Sequence, residues 1–202
     1  MKGNHGNIPE ILPCTVERGS PVIRVTKPST EHIVYVSHCG YDYTLTGEQA
    51  ALWLDGRYGF DAARNQLQLQ TLHQLERMGL VVATDDVLEG EYRALTRVRL
   101  VPAKAKNAYS GLSRDEKTAL KWIRETGLVI SMAELVFLME RNIPPEDKYL
   151  GQEHVQALVQ RIYTRDTIAD NILENQMERA EKRDYVVKLV LRLLKKKRIV
   201  LL

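Results

Sequence analysis

The stretch LHQLERMGLVVATDDVLEGEYRAL, residues 72–95, decides how the chain is read. Leu69, Leu72, Leu75 and Leu80 recur every three to five residues, which predicts one buried side of a helix over about 66–78. Gly79 is its expected stop, because glycine enters the left-handed conformation of a helix C-terminus without a Cβ clash. LVVAT (80–84) then reads as a strand, DDVLEG (85–90) as an acidic turn and EYRALTRVRLV (91–101) as a returning strand. That is the order of a recognition helix followed by a β-wing. Its tip would carry Asp85, Asp86, Glu89 and Glu91. Across residues 61–92, Arg64 and Arg77 face Asp61, Glu76 and those four acids. Phosphate binding requires cations, so the wing is expected to serve structure or a protein partner rather than DNA.

Upstream, VIRVT (22–26) and HIVYVS (32–37) alternate apolar and polar residues around the turn-rich KPSTE (27–31). They predict a β-hairpin, to which GYDYT (40–44) adds a short strand. Residues 1–20 show no periodicity and are expected to be a loose arm. Thr46 with Gln49 has capping-box spacing and predicts a helix ending at Gly56, with Ala50, Leu52, Trp53 and Leu54 on its apolar side. DAARNQ (61–66) predicts a short helical turn begun by Asp61.

Downstream, PAKAKNAYSG (102–111) is read as a linker. Ser113 with Glu116 and Ser131 with Glu134 predict two further capped helices, separated by a minimal strand at 128–130. Pro144 and Pro145 predict a loop over 142–151. Helices are expected at 152–163 and 167–197, the second broken near Arg183, with RIVLL (198–202) as a closing strand. A weak internal repeat accompanies this pattern. LTGE (45–48) matches LSRD (112–115), each opening a helix with a tryptophan, and LHQLERMGLVV (72–82) matches LRLLKKKRIVL (191–201).

The 202 residues suit one large domain or two small ones, and the repeat favours two. No apolar run approaches the roughly 20 residues of a membrane span, no signal-peptide core is seen, and Cys14 and Cys39 make no disulfide framework. A cytoplasmic protein is expected. Residues 1–106 hold 12 Lys+Arg and 12 Asp+Glu, whereas the last 20 residues hold seven basic residues against Asp184. Such asymmetry points to an anionic partner.

Residues 46–101 resemble winged-helix domains, MarR-like ones especially, in their order of helix, short helix, helix, strand, turn, strand. Residues 22–82 also resemble PqqD-like peptide-binding modules, through YDYTLTGEQAALWLDGRYGF (41–60) and LERMGLVV (75–82). That second resemblance implies a non-enzymatic module that binds a leader peptide at a sheet edge. Residues 107–202 look like a second, atypical winged helix. The expected fold is therefore α+β, mostly α, with two tandem winged-helix-like domains and an N-terminal β-hairpin. Its parts would be an arm (1–20), a first domain (21–103), a linker (104–112) and a second domain (113–202).

Two functions follow. In the first, the chain is a DNA-binding transcriptional regulator. Lys188, Arg192, Lys195 and Lys196 share an exposed face of the last helix and would hold phosphates without reading sequence. Gln68, Gln74 and Arg77 are the candidate base readers, because glutamine can read adenine edges in the major groove. The first domain would then dimerise or bind a partner. In the second, the chain is a protein- or peptide-binding adaptor whose hairpin edge near Val34 and Val36 accepts a strand. His32, His38 and Cys39 lack the four closed ligands of a structural zinc site and are expected to be structural. No base is assigned to Cys39 as a nucleophile, and no phosphate loop or hydrolase motif is found. The chain is expected to need no cofactor and to be no enzyme.

Overall fold

The computed structural model describes residues 10–13, 22–23, 33–38, 40–59, 63–84, 88–104, 106–164 and 180–202. It is an α+β protein, mostly α, with three small antiparallel sheets among the described residues. The first half holds β1 (Glu10–Pro13), β2 (Val22–Ile23), β3 (Val34–His38), β4 (Tyr41–Leu45), α1 (Gly47–Gly56), α2 (Gln66–Arg77) and β5 (Val81–Thr84). There follow α3 (Leu88–Leu95), β6 (Leu100–Pro102), α4 (Arg114–Glu125), α5 (Met132–Glu140), two single 3₁₀ turns and α6 (Val155–Ile162). The last described elements are α7 (Ala180–Lys195) and β7 (Ile199–Leu201).

Alternation of apolar and polar residues builds the sheet β2-β3-β4. Val34 and Val36 are buried while Tyr35 between them is exposed. Both β2 and β4 pair antiparallel with β3, in registers that set Val22 opposite Tyr35 and His38 opposite Tyr41. Behind this sheet, Leu45, Ala50, Trp53, Leu72, Leu75, Leu80 and Val81 complete a first core. A second core runs from Tyr92 to Leu201, with Leu120, Trp122, Leu135, Val187, Leu193 and Ile199 among its buried members.

Helix α2 ends as its spacing predicts. Gly79 adopts φ 71°, and the N–H groups of Gly79 and Leu80 donate to the carbonyls of Glu76 and Leu75. The same closure ends α7, where Lys197 takes φ 53° and Arg198 N–H donates to Leu193. Both copies of the repeat thus join a helix directly to a short strand. The expected capping boxes at Ser113–Glu116 and Ser131–Glu134 are present in full. At Thr46 the box does not form. Gly47 departs to φ 52° at the first helical position, and Gln49 instead donates its amide to Gln74 at 3.2 Å.

The returning wing strand is the principal correction. Residues 88–95 are helical, because Leu88, Tyr92 and Leu95 follow helical and not alternating periodicity, and Arg93 closes an i,i+4 pair with Glu89 at 2.7 Å. The short β6 that follows pairs with β7 at the chain's C-terminal end, and β5 pairs with β1. Glu10–Pro13 is therefore a strand, not part of a loose arm. Since α3 packs on α7, the second core takes in residues that precede the expected linker. Ala108 and Leu112, inside that linker, are also buried in it. Its buried members run from Tyr92 to Leu201, so they begin before the expected second domain.

Smaller departures have local causes. Residues 128–130 form no strand; the Thr126 hydroxyl donates to the Leu128 carbonyl and accepts from its N–H, which keeps the segment a turn. Residues 63–65 are not helical, and α2 starts instead from Asn65, whose side chain accepts the Gln68 N–H. Asp61, the KPSTE turn, the tip residues Asp85 and Asp86, His32, Cys39 and the helix expected over 167–179 lie outside the described residues.

Candidate functional site

The sheet edge is built by a short hairpin. The register sets His38 opposite Tyr41 with two residues between them, a spacing at which the closing pair is the hydrogen-bonded one. Hydrogen-bonded and open pairs alternate from there, so the backbone groups of Asp42 and Thr44 point away from β3. Among the described residues no strand covers that side of β4. The side chains of Tyr41, Asp42 and Thr44 are exposed, Tyr41 at 69 %, and Tyr35, opposite Thr44 on β3, is exposed at 46 %. This corrects the expected position of the edge. Val34 and Val36 stand on the central strand, almost fully buried and paired to β4, and cannot receive a ligand side chain. The signal for β4 was present in the sequence: YDYTL alternates, but its polar positions leave it lightly covered.

The C-terminal cations are differently employed. Glu116 is 3 % exposed and accepts two hydrogen bonds from the Lys196 ammonium, at 2.8 and 2.9 Å, while the Arg192 guanidinium stands 3.5 Å away. The same carboxylate accepts the Ser113 N–H at 2.7 Å. The Lys196 hydrogen bond holds the Glu116 carboxyl below its ordinary pKa range, against the opposing effect of burial. Arg192 and Lys196 thus tie the C-terminal half of α7 to the start of α4. Lys188 is exposed but lines a 590 Å³ groove with Asp115, Glu140, Glu181 and Asp184, where carboxylates outnumber cations. Lys195 is exposed on the last turn of α7.

The proposed base readers are also only partly available. The Gln68 side chain donates to Glu48 at 2.8 Å and accepts the Arg64 N–H at 3.0 Å, which fixes it between α1 and α2. Gln74 accepts from Gln49, and Arg77 is exposed at the last turn of α2. Leu67, on the first turn of α2, is 61 % exposed.

His38 sits against Gly79, its Nε2 3.3 Å from where a Cβ would stand. Among the described residues there is no group of three His, Cys, Asp or Glu side chains able to hold a metal, and no helix long and apolar enough to cross a membrane. Compared with models of known families, with curated proteins and with solved structures, the chain matches none.

Proposed function

We propose that the protein is a non-enzymatic adaptor that binds an extended peptide by adding it as a strand beside β4. The reading rests on one observation: β4 exposes Tyr41, Asp42 and Thr44, and no described strand pairs with its outer side. Main-chain donors and acceptors of Asp42 and Thr44 supply affinity that is indifferent to ligand sequence. The exposed Tyr35 and Tyr41 rings supply apolar contact that selects side chains. The resemblance of residues 22–82 to PqqD-like modules agrees with this use of a sheet edge. The regulator reading is less favoured, because Arg192, Lys196 and Gln68 are engaged with Glu116 and Glu48.

The test is a displayed random-peptide selection, with individual enriched peptides then measured by fluorescence anisotropy. Thr44→Pro removes one outward N–H from an exposed edge position, where proline is tolerated. Enriched peptides are expected to lose at least about tenfold in affinity for this variant, roughly the worth of one to two hydrogen bonds, while its circular dichroism stays unchanged. No enrichment, or equal binding by wild type and variant, overturns the reading.

A further inference from the structure

Besides the cations that the sequence singles out on α7, a second basic row lies on α4. Arg114, Lys117, Lys121 and Arg124 follow one another at intervals of three and four residues. At roughly 100° per residue they fall within an arc of about 80°, opposite the buried Glu116, Ala119, Leu120 and Ile123. Along the axis they span about 15 Å. None of the four side chains forms a hydrogen bond or ion pair with a described residue. Arg114, Lys117 and Lys121 also line a 490 Å³ pocket with Tyr109 and Pro145. The carboxylate there, Glu125, already accepts the Tyr109 hydroxyl. Glu116, on the same helix, is neutralised from behind by Lys196 and Arg192.

We propose that this face of α4 binds the phosphate backbone of duplex DNA, without regard to base sequence. Duplex DNA carries one charge per about 1.7 Å of its axis, and a rigid 15 Å row of cations matches so regular an anion. Three other partners fit less well. A protein partner or a lipid surface is held largely by buried aromatic and aliphatic anchors, and no large apolar side chain of α4 is exposed. Single strands are held by stacking platforms, whereas the aromatic ring here, Tyr109, is half-buried. The contact is independent of the β4 edge. Together they make a DNA-anchored scaffold that presents a peptide-binding sheet.

The experiment titrates two labelled duplexes of unrelated sequence, with their single strands and phosphatidylserine vesicles as competitors, between 50 and 200 mM KCl. With four phosphate contacts at about 0.9 each, log affinity is expected to fall with log salt at a slope of about −3.6, alike for both sequences. Lys117→Gln and Arg124→Gln should each flatten the slope by about 0.9, and Lys117→Ala/Lys121→Ala/Arg124→Ala should leave about −0.9. Lys188→Ala/Lys195→Ala on α7 and Thr44→Pro on β4 should leave the slope unchanged. Absence of binding at 50 mM KCl, an unaltered slope in the single α4 variants, or equal competition by vesicles or single strands overturns the proposal.

Discussion

Gly79 and Glu116 each link a local backbone event to the packing of a whole core. Gly79 needs its left-handed φ to turn the chain from α2 into β5, and a Cβ there would press on the His38 ring. Gly79→Ala is expected to destabilise the protein by about 1–2 kcal/mol from the backbone conformation alone, read as a lower denaturation midpoint at constant slope. Glu116 acts through charge. Its folded pKa is depressed, so its contribution is present above the unfolded value of about 4.3 and is lost as pH falls through the folded one. Thermal melts between about pH 6 and 2 should show a steep acid loss in wild type. Glu116→Gln should be less stable at neutral pH and flatter on the acid side; an unchanged acid limb would disprove the coupling. The spacing of Ser113 and Glu116 was plain in the sequence. That Lys196 would reach the same carboxylate was not, because 80 residues separate the two.

The element that most altered the reading is α3. EYRAL alternates over four residues and invites a strand, but extending the window back to Leu88 restores a helical spacing that buries Tyr92, Ala94 and Leu95. A helix and a wing strand respond oppositely to proline. Arg93→Pro in the interior of α3 is expected to cost about 3 kcal/mol or more by removing a helical N–H and crowding the preceding turn. An exposed wing strand would accept it at small cost, so an unfolding titration of this one variant discriminates between them. The short strands were legible as apolar runs, but their partners were not. VVAT pairs with residues 10–13 and LVP with the C-terminal IVL. A strand records which of its faces is buried and nothing about which edge it meets.

Across the whole molecule, two tryptophans sit in two different cores, Trp53 in the first and Trp122 in the second. Among the described residues the cores meet where β5 packs on α3 and at further contacts. Leu201 N–H donates to the Arg57 carbonyl at 2.8 Å, Lys197 lies over the Tyr58 ring at 5.1 Å, and Val82 packs on the second core. Each tryptophan should therefore report on its own half. In a Trp122→Phe background, Leu75→Ala should lower the Trp53 unfolding midpoint by the equivalent of about 2–5 kcal/mol. In a Trp53→Phe background it should move the Trp122 midpoint much less. Equal shifts would mean a single cooperative unit.

Periodicity alone pointed to the amphipathic helices found at Gln66–Arg77 and Ala180–Lys195, each leading into a short strand, since burial of one face repeats every three to four residues whatever lies opposite; the break expected near Arg183 does not occur. The two serine capping boxes were equally local, as both partners lie within one turn. What only the tertiary structure decided is which groups remain available. Whether Lys196 meets solvent or Glu116, whether Val36 or Thr44 lies at an edge, and whether residues 88–102 belong to the first core or the second all depend on neighbours far along the chain. The free energies that settle those choices come from long-range burial and pairing, which no local spacing encodes.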